Sequence, residues 1–266
     1  MHSDKNAKIT SLIGTFENAE NMINFKIEGF DTSQATSMSI LFNGTKFNEI
    51  NTPGIDSSNV EDMSYMLSNM PFLEYPHIDN LNTYKVKNMS HMFSNDESLI
   101  SANLRTLNTS NVIDMSYMFA YDSSVTLLGL NLLNTSKVED MSYMFYQCSQ
   151  IRNIRINNFK TNKVKKIQYM FSNCFNLINS PVRSFDTSNV ENMSNMFEYC
   201  TSLTNLTLNN FNTENVKDMS NMFTFARGIT ILDISTFNTA KVTNMSHMFE
   251  YLSQLTSLSL SYFDTN

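Results

Sequence analysis

Three cysteines of the chain, Cys148, Cys174 and Cys200, are spaced 26 residues apart. If each spacing is one structural repeat, the thiols lie about one strand spacing (~4.8 Å) from each other, within reach of a disulfide or a metal ion. The same repeat position holds Met70 and Leu252 elsewhere, and free cysteine is among the most buried residue types. We therefore predict buried free thiols, with a disulfide or a metal site as the alternatives.

Methionine is the second residue type that suggests chemistry, because the chain has 19 of them and no tryptophan. Thioethers are ligands for soft metals such as Cu(I). Most of these methionines, however, belong to copies of the motif M-S-x-M-F, where they accompany Val and Phe at regular spacing. Because methionine fills irregular core space well, we predict that they form a hydrophobic core and bind no metal.

Catalysis has little support in the sequence. The four histidines, His2, His77, His91 and His247, occupy unrelated positions, and no pair has the spacing of zinc ligands. No Ser/His/Asp or Cys/His arrangement can be proposed from spacing alone. We predict a protein that is not an enzyme, has no catalytic residue and needs no cofactor or metal.

The charge distribution singles out one stretch. The whole chain has 18 basic and 25 acidic residues, a net charge of −7, which disfavours coating of nucleic acid or of an anionic membrane. Between Asp140 and Asp186, however, there is no acidic residue. The basic residues of this stretch are candidate ligand-binding residues, forming a belt for an anionic glycan, a nucleic acid or an acidic protein patch; a solvated face, or a contact with the acidic end of a second copy, is the interpretation we favour. They are Arg152, Arg155, Lys160, Lys163, Lys165, Lys166 and Arg183.

The M-S-x-M-F motif and its variants recur through the chain with one step of 25 residues and seven of 26, starting at residues 38, 63, 89, 115, 141, 167, 193, 219 and 245. A degenerate copy begins at Leu12. Self-similarity at this period is typical of a solenoid. We predict a single repeat domain over 1–266 with about ten units, a degenerate first unit near 9–30 and an incomplete eleventh at 263–266.

Each unit combines two periodicities. Around Val190–Phe197 the apolar residues fall at offsets 0, 3, 6 and 7, which predicts a short helix. The pairs Ser188 and Glu191, Ser58 and Glu61 have the spacing of a helix capping box. The following L-x-x-L-x-L segment predicts a strand with one buried face. The sequence thus predicts an α/β solenoid: a right-handed superhelix with a parallel β-ladder on the concave side and short helices on the convex side.

Two exposed columns follow from this arrangement. On the strands, Tyr75, His77, Asn103 and Arg105 are candidate ligand-binding residues, because curved repeat proteins commonly bind through their extended concave surface. On the convex side, one exposed position carries Tyr or His in five successive repeats. We interpret these rings as covering neighbouring helices; a stacking surface for sugars or a partner is the alternative.

The full pattern, F-[DN]-T-[SN]-x-V-x-x-M-S-x-M-F-x-x-C-x-x-L-x-x-L-x-L, resembles the BspA-like leucine-rich-repeat surface proteins of bacteria, over residues 9–266. The resemblance implies a leucine-rich-repeat fold, a location at the cell surface or outside the cell, and adhesion to a host or bacterial surface protein or glycan. The chain departs from that family because it begins without an apolar signal segment and carries no anchor or membrane span. Direct membrane insertion and nucleic-acid binding are therefore not expected. The alternative function is a structural component whose uncapped repeat end stacks on another chain.

Overall fold

The structure, a computed structural model, describes residues 8–22, 30–52 and 54–263. Backbone hydrogen bonds join residues 22–26 positions apart along this whole length, so the chain winds as a stack of coils, a repeat solenoid. Part of the predicted first unit and most of the predicted eleventh lie outside the described residues. Among the described residues, no helix is long and apolar enough to cross a membrane.

Six short strands among the described residues lie on one side of their coils and form three separate parallel pairs between adjacent coils. β1 (Glu49–Asn51) pairs with β2 (Tyr75–His77), β3 (Ser101–Ala102) with β4 (Leu127–Leu128), and β5 (Ile231–Asp233) with β6 (Ser257–Ser259). In β1, β2 and β5 the central residue is buried and its neighbours are exposed, as the alternation of side chains along a strand requires. We call this side the strand face.

The predicted α-helices are absent from the described residues, so the α/β prediction is wrong there. Helical geometry occurs only as a 3-10 turn at Leu130–Leu132. The motif instead forms successive tight turns: Met118 N–H donates to the Met115 carbonyl at 3.4 Å and Ala120 N–H to the Tyr117 carbonyl at 3.0 Å. Alternate N–H groups of the motif form their hydrogen bonds outside the segment. Tyr117 N–H, for example, donates to the Ser142 carbonyl of the next coil at 2.9 Å. The motif therefore forms a second ladder between coils, which we call the turn face.

Two residues of every repeat have positive φ, two and six residues after the start of the motif. Tyr117 (57°) and Tyr121 (70°) are one such pair, and Gly14 (58°) and Gly44 (71°) fill two of the positions. This region is uncommon for residues other than glycine, although asparagine and histidine enter it more readily. A left-handed residue in each turn brings the two methionines to the same inward side. This inward placement of both methionines is the reason that the spacing of apolar residues resembles that of a helix.

Short polar side chains take the place of the predicted capping boxes. Asp186 Oδ1 accepts Ser188 N–H at 3.0 Å, and Asn192 Oδ1 accepts Ser194 N–H at 2.8 Å, so these residues form Asx turns. The threonine of F-[DN]-T is buried and bridges coils: Thr187 Oγ1 donates to the Asn212 carbonyl and accepts Asn212 N–H, both at 2.8 Å. The Thr187 hydroxyl therefore holds two coils in register.

The core fills the space between the two faces. Motif residues such as Met144 and Phe145 are fully buried, as predicted for the methionines. The motif phenylalanines stack from coil to coil, with ring centroids 5.3–6.2 Å apart from Phe93 to Phe249. No unit could bury such a face alone, because each one is covered by its neighbours. The handedness and the curvature of the stack stay predictions.

Candidate binding site on the strand face

Two adjacent cavities open on the strand face near the middle of the chain, with volumes of about 380 and 280 Å³. Both are lined by Leu127 and Arg155; Asn103 and Arg105 line the first and Arg152 the second. We call the surface formed by these five residues the arginine notch. Four of the five were predicted as ligand-binding residues from the sequence, and the fifth, Leu127, was not.

Strands β3 and β4 position one wall of the arginine notch. Ala102 and Leu128 point into the core and are paired in register, which turns Ser101 and Leu127 outward. Asn103 Oδ1 accepts Arg105 N–H at 3.4 Å. The chain beyond β4 runs close to β3, because a Cβ on Gly129 would lie 3.3 Å from the Ala102 carbonyl.

An interruption of the strand ladder forms the other wall. One hydrogen bond recurs from coil to coil at this level: Thr126 N–H donates to Ile100 and Ile178 N–H to Arg152, both at 3.1 Å. The equivalent bond from Arg152 N–H to the Thr126 carbonyl is missing, and among the described residues no backbone hydrogen bond joins 126–131 to 151–156. The 3-10 turn at Leu130–Leu132 lies directly after β4. The smaller cavity occupies this opening.

The three guanidinium groups of the arginine notch are unpaired. Within the described ranges, the side chains of Arg105, Arg152 and Arg155 form no hydrogen bond or ion pair. Each guanidinium carries five N–H donors in a planar fork that fits carboxylate, phosphate or sulfate. The notch therefore offers three free cationic donor sets beside an exposed leucine: Leu127 has a relative accessible surface of 66%.

The lysines of the predicted belt do not join this surface. Lys165 Nζ donates to Glu139 at 2.7 Å and Lys166 Nζ to Asp140 at 2.8 Å, both acids of the preceding coil. The hydrogen bond from Lys165 lowers the pKa of Glu139, and the hydrogen bond to Asp140 raises the pKa of Lys166. Neighbouring coils therefore supply the acids that this stretch lacks, and the role of Lys165 and Lys166 as ligand contacts stays a prediction.

The remaining predicted residues also lie apart from the two cavities. Arg183 donates to the side chain of Asn205 at 3.3 Å, and Lys160 and Lys163 lie in the loop between the two faces. Tyr75 and His77 are exposed on β2, one coil before Asn103, and neither lines the notch. Their role as ligand contacts stays a prediction.

The exposed aromatic column of the turn face forms a stack of rings. Successive rings from Tyr65 through His91, Tyr117 and Tyr143 to Tyr169 lie 4.1–4.5 Å apart and within 6–10° of parallel. The rings thus cover each other, and the faces that a sugar would need are already occupied. Burial lowers the pKa of His91 to about 4, so this ring is neutral at physiological pH.

Two buried aspartates were missed by the sequence analysis. Asp96 and Asp122 occupy the repeat position of the cysteines, two coils and one coil before Cys148, respectively. Oδ1 of Asp96 accepts Met70 N–H at 2.7 Å and Oδ1 of Asp122 accepts Asp96 N–H at 3.0 Å. Neither Oδ2 atom has a partner among the described residues. Burial raises the pKa of both carboxyls. The 26-residue register alone would have shown that both residues share the repeat position of the cysteines.

The cysteines are buried and free, as predicted. The thiols of Cys148, Cys174 and Cys200 each donate to a phenylalanine carbonyl of the preceding coil at 3.1 Å. Burial raises the pKa of all three. Across the described part of the chain, no group of three or more His, Cys, Asp or Glu side chains is arranged to hold a metal ion.

The chain matches one protein family over nearly its whole length. A family model matches residues 3–76, 68–181 and 174–266, nearly the whole chain. The chain belongs to this family, described as "Mycoplasma protein of unknown function, DUF285". No curated protein is similar enough to this DUF285 chain to count as a match.

Solved structures similar to this DUF285 chain are leucine-rich repeat proteins. One from Bacteroides ovatus is 19% identical with a TM-score of 0.50, covering 92% of this chain and 64% of its own length. Another, from Eubacterium ventriosum, is 16% identical with a TM-score of 0.40, covering 89% of this chain and 72% of its own length. The first likeness supports the fold, a leucine-rich-repeat-type solenoid. This chain spans about two thirds of that protein, and the second score is too low to carry an argument.

Proposed function

We propose that this chain is a non-enzymatic adhesion or ligand-binding module, located at the cell surface or outside the cell, that binds a protein or glycan partner through its strand face. The observation that carries the proposal is the arginine notch. Three guanidinium groups lie around two adjoining cavities and have no partner among the described residues. By contrast, Lys87, Lys137 and Lys217 each pair with an acid or an asparagine of the preceding coil.

The unpaired guanidinium groups of the notch have a cost in electrostatic free energy. Three like charges on one surface repel each other, and among the described residues none of the three guanidinium groups forms an ion pair that would offset this repulsion. A partner that brings carboxylate, sulfate or phosphate groups removes the repulsion and forms charge-assisted hydrogen bonds. Such complementarity contributes mainly to specificity and to the association rate. Backbone hydrogen bonds to the neighbouring coils, from Thr126 to Ile100 and from Ile178 to Arg152, hold the main chain on either side of the notch.

The test is binding of the wild-type chain to an array of extracellular-matrix proteins and sulfated glycans, at low and at physiological salt. We expect a saturable partner whose affinity falls by roughly tenfold or more when Arg105, Arg152 and Arg155 are all changed to Glu. The matched control changes Lys85, Lys137 and Lys241 to Glu. These three lysines donate to asparagines of the preceding coil, and the control alters the net charge equally.

Equal weakening by both triple variants would show that only net charge matters, and the notch would lose its role. A wild-type chain that binds nothing on the array at either salt concentration would contradict the proposal as a whole. Circular dichroism and denaturant melts of all three chains establish that each variant is folded. A difference in affinity between the two triple variants then reflects the position of the changed charges alone.

A further inference from the structure

The arginine notch combines charge with an apolar surface, and this combination narrows the partner class. Leu127 lies on the wall shared by the two cavities, and the residue is 66% exposed. The guanidinium-bearing residues Arg105, Arg152 and Arg155 surround it. A purely anionic ligand would pair with the arginines but would leave a large apolar side chain against its own polar groups. A ligand with an apolar group between anionic groups covers both features.

The open ladder adds a third feature. The Thr126 carbonyl and the Arg152 N–H, which the repeat pattern would pair with each other, form no backbone hydrogen bond, and both residues line the smaller cavity. These two groups offer a free acceptor and a free donor at an open edge of the strand ladder. Extended peptide segments bind such edges through their own main chain, while alternate side chains occupy neighbouring surfaces.

We infer that the arginine notch binds an extended acidic segment of a protein partner, in which an apolar side chain packs on Leu127 between carboxylates bound by the arginines. This inference rests on the proposed function and narrows it to protein rather than glycan. The partner's main chain pairs with Arg152 N–H and the Thr126 carbonyl. No bond of the partner is made or broken, so the site requires no co-reactant.

The first part of the test is selection from a library of random 12-residue peptides on the immobilised wild-type chain. The library is first depleted on the variant that carries Glu at Arg105, Arg152 and Arg155. We expect enrichment of sequences in which Asp or Glu flanks Leu, Ile, Val, Phe or Tyr. No enrichment, or enriched sequences without acidic residues, would overturn the inference.

The second part measures the affinity of one enriched peptide for single variants. Leu127→Ser should weaken binding by about tenfold, the usual effect of losing one apolar contact in a site. Ile231→Ser is the matched control, because Ile231 occupies the equivalent strand position on β5 and is 65% exposed. This control should leave the affinity unchanged. Equal weakening by the two variants, or by neither, would overturn the inference.

A sulfated heparin hexasaccharide separates failure of the inference from failure of the proposed function. If the hexasaccharide binds the wild-type chain, loses affinity in the triple Glu variant and is insensitive to Leu127→Ser, while no peptide is enriched, the notch binds glycan. The proposed function then stands and the inference is wrong. If neither the peptide library nor the hexasaccharide distinguishes the wild-type chain from the triple variant, both are wrong.

Discussion

The two faces of the solenoid differ in regularity. On the turn face every motif copy has the same pair of left-handed residues, and alternate N–H groups bond to the next coil throughout. On the strand face the equivalent bond fails between Thr126 and Arg152, and again between Thr204 and Thr230. The turn face therefore holds the stack together. The strand face has the freedom to vary, and the arginine notch lies at one of its interruptions.

Removal of a core side chain from the turn face tests whether this face contributes more to stability than the strand face does. Met144 is fully buried, so Met144→Ala should lower the free energy of unfolding by about 2–5 kcal/mol through loss of buried surface and the cavity that remains. Leu127→Ala on the strand face, where the side chain is largely exposed, should have little effect. Urea melts of both variants measure the contrast. Equal losses would mean that the strand face carries as much of the stability as the turn face.

A second prediction concerns the buried aspartates beside the turn face. Burial raises the pKa of Asp96 and Asp122 above its ordinary value, so the folded chain holds these protons more tightly than the unfolded chain. Their contribution to stability is therefore complete below about pH 4 and is lost as the pH rises toward the folded-state pKa. Each carboxyl reduces stability by at most about 1.4 kcal/mol per pH unit in that range.

The measurement is the free energy of unfolding between pH 4 and pH 8, for the wild-type chain and for the double variant Asp96→Asn and Asp122→Asn. The variant retains the Oδ1 acceptors but cannot ionise, so its stability should fall less steeply with rising pH. Parallel curves for the two chains would show that these carboxyls are ionised in the folded state or already hydrated there.

The sequence determined the organisation of the fold better than its local conformation. The 26-residue period predicted the stacking, the buried methionines and phenylalanines, and the side of the coil on which Arg105 and Arg155 lie. It predicted helices wrongly, because two buried side chains three residues apart, such as Met115 and Met118, are compatible with a helical turn or with a tight turn. Recurrent Asn and His at an exposed position signalled the left-handed turns.

The candidate site was predictable only in part, for a related reason. Composition alone marked a stretch without acids, but acids of neighbouring coils neutralise Lys165 and Lys166. Which basic residues stay unpaired depends on the contacts between coils. Leu127 was not predicted because exposed leucines are common and carry no signal by themselves. Its importance follows from its place beside Arg152 at an interrupted ladder.

The smallest predicted effect tests the left-handed positions of the turn face directly. Asn95 has φ of 65° and is exposed, so Asn95→Val should destabilise the chain by about 1–2 kcal/mol through backbone strain rather than lost burial. Asn95→Gly is the control, since glycine adopts this region freely while losing the same side-chain bond to Asn69. Thermal melts of the two variants isolate the strain. If glycine costs as much as valine, the side-chain hydrogen bond and not the left-handed turn is what this position contributes, and the regularity of the turn face has a different cause.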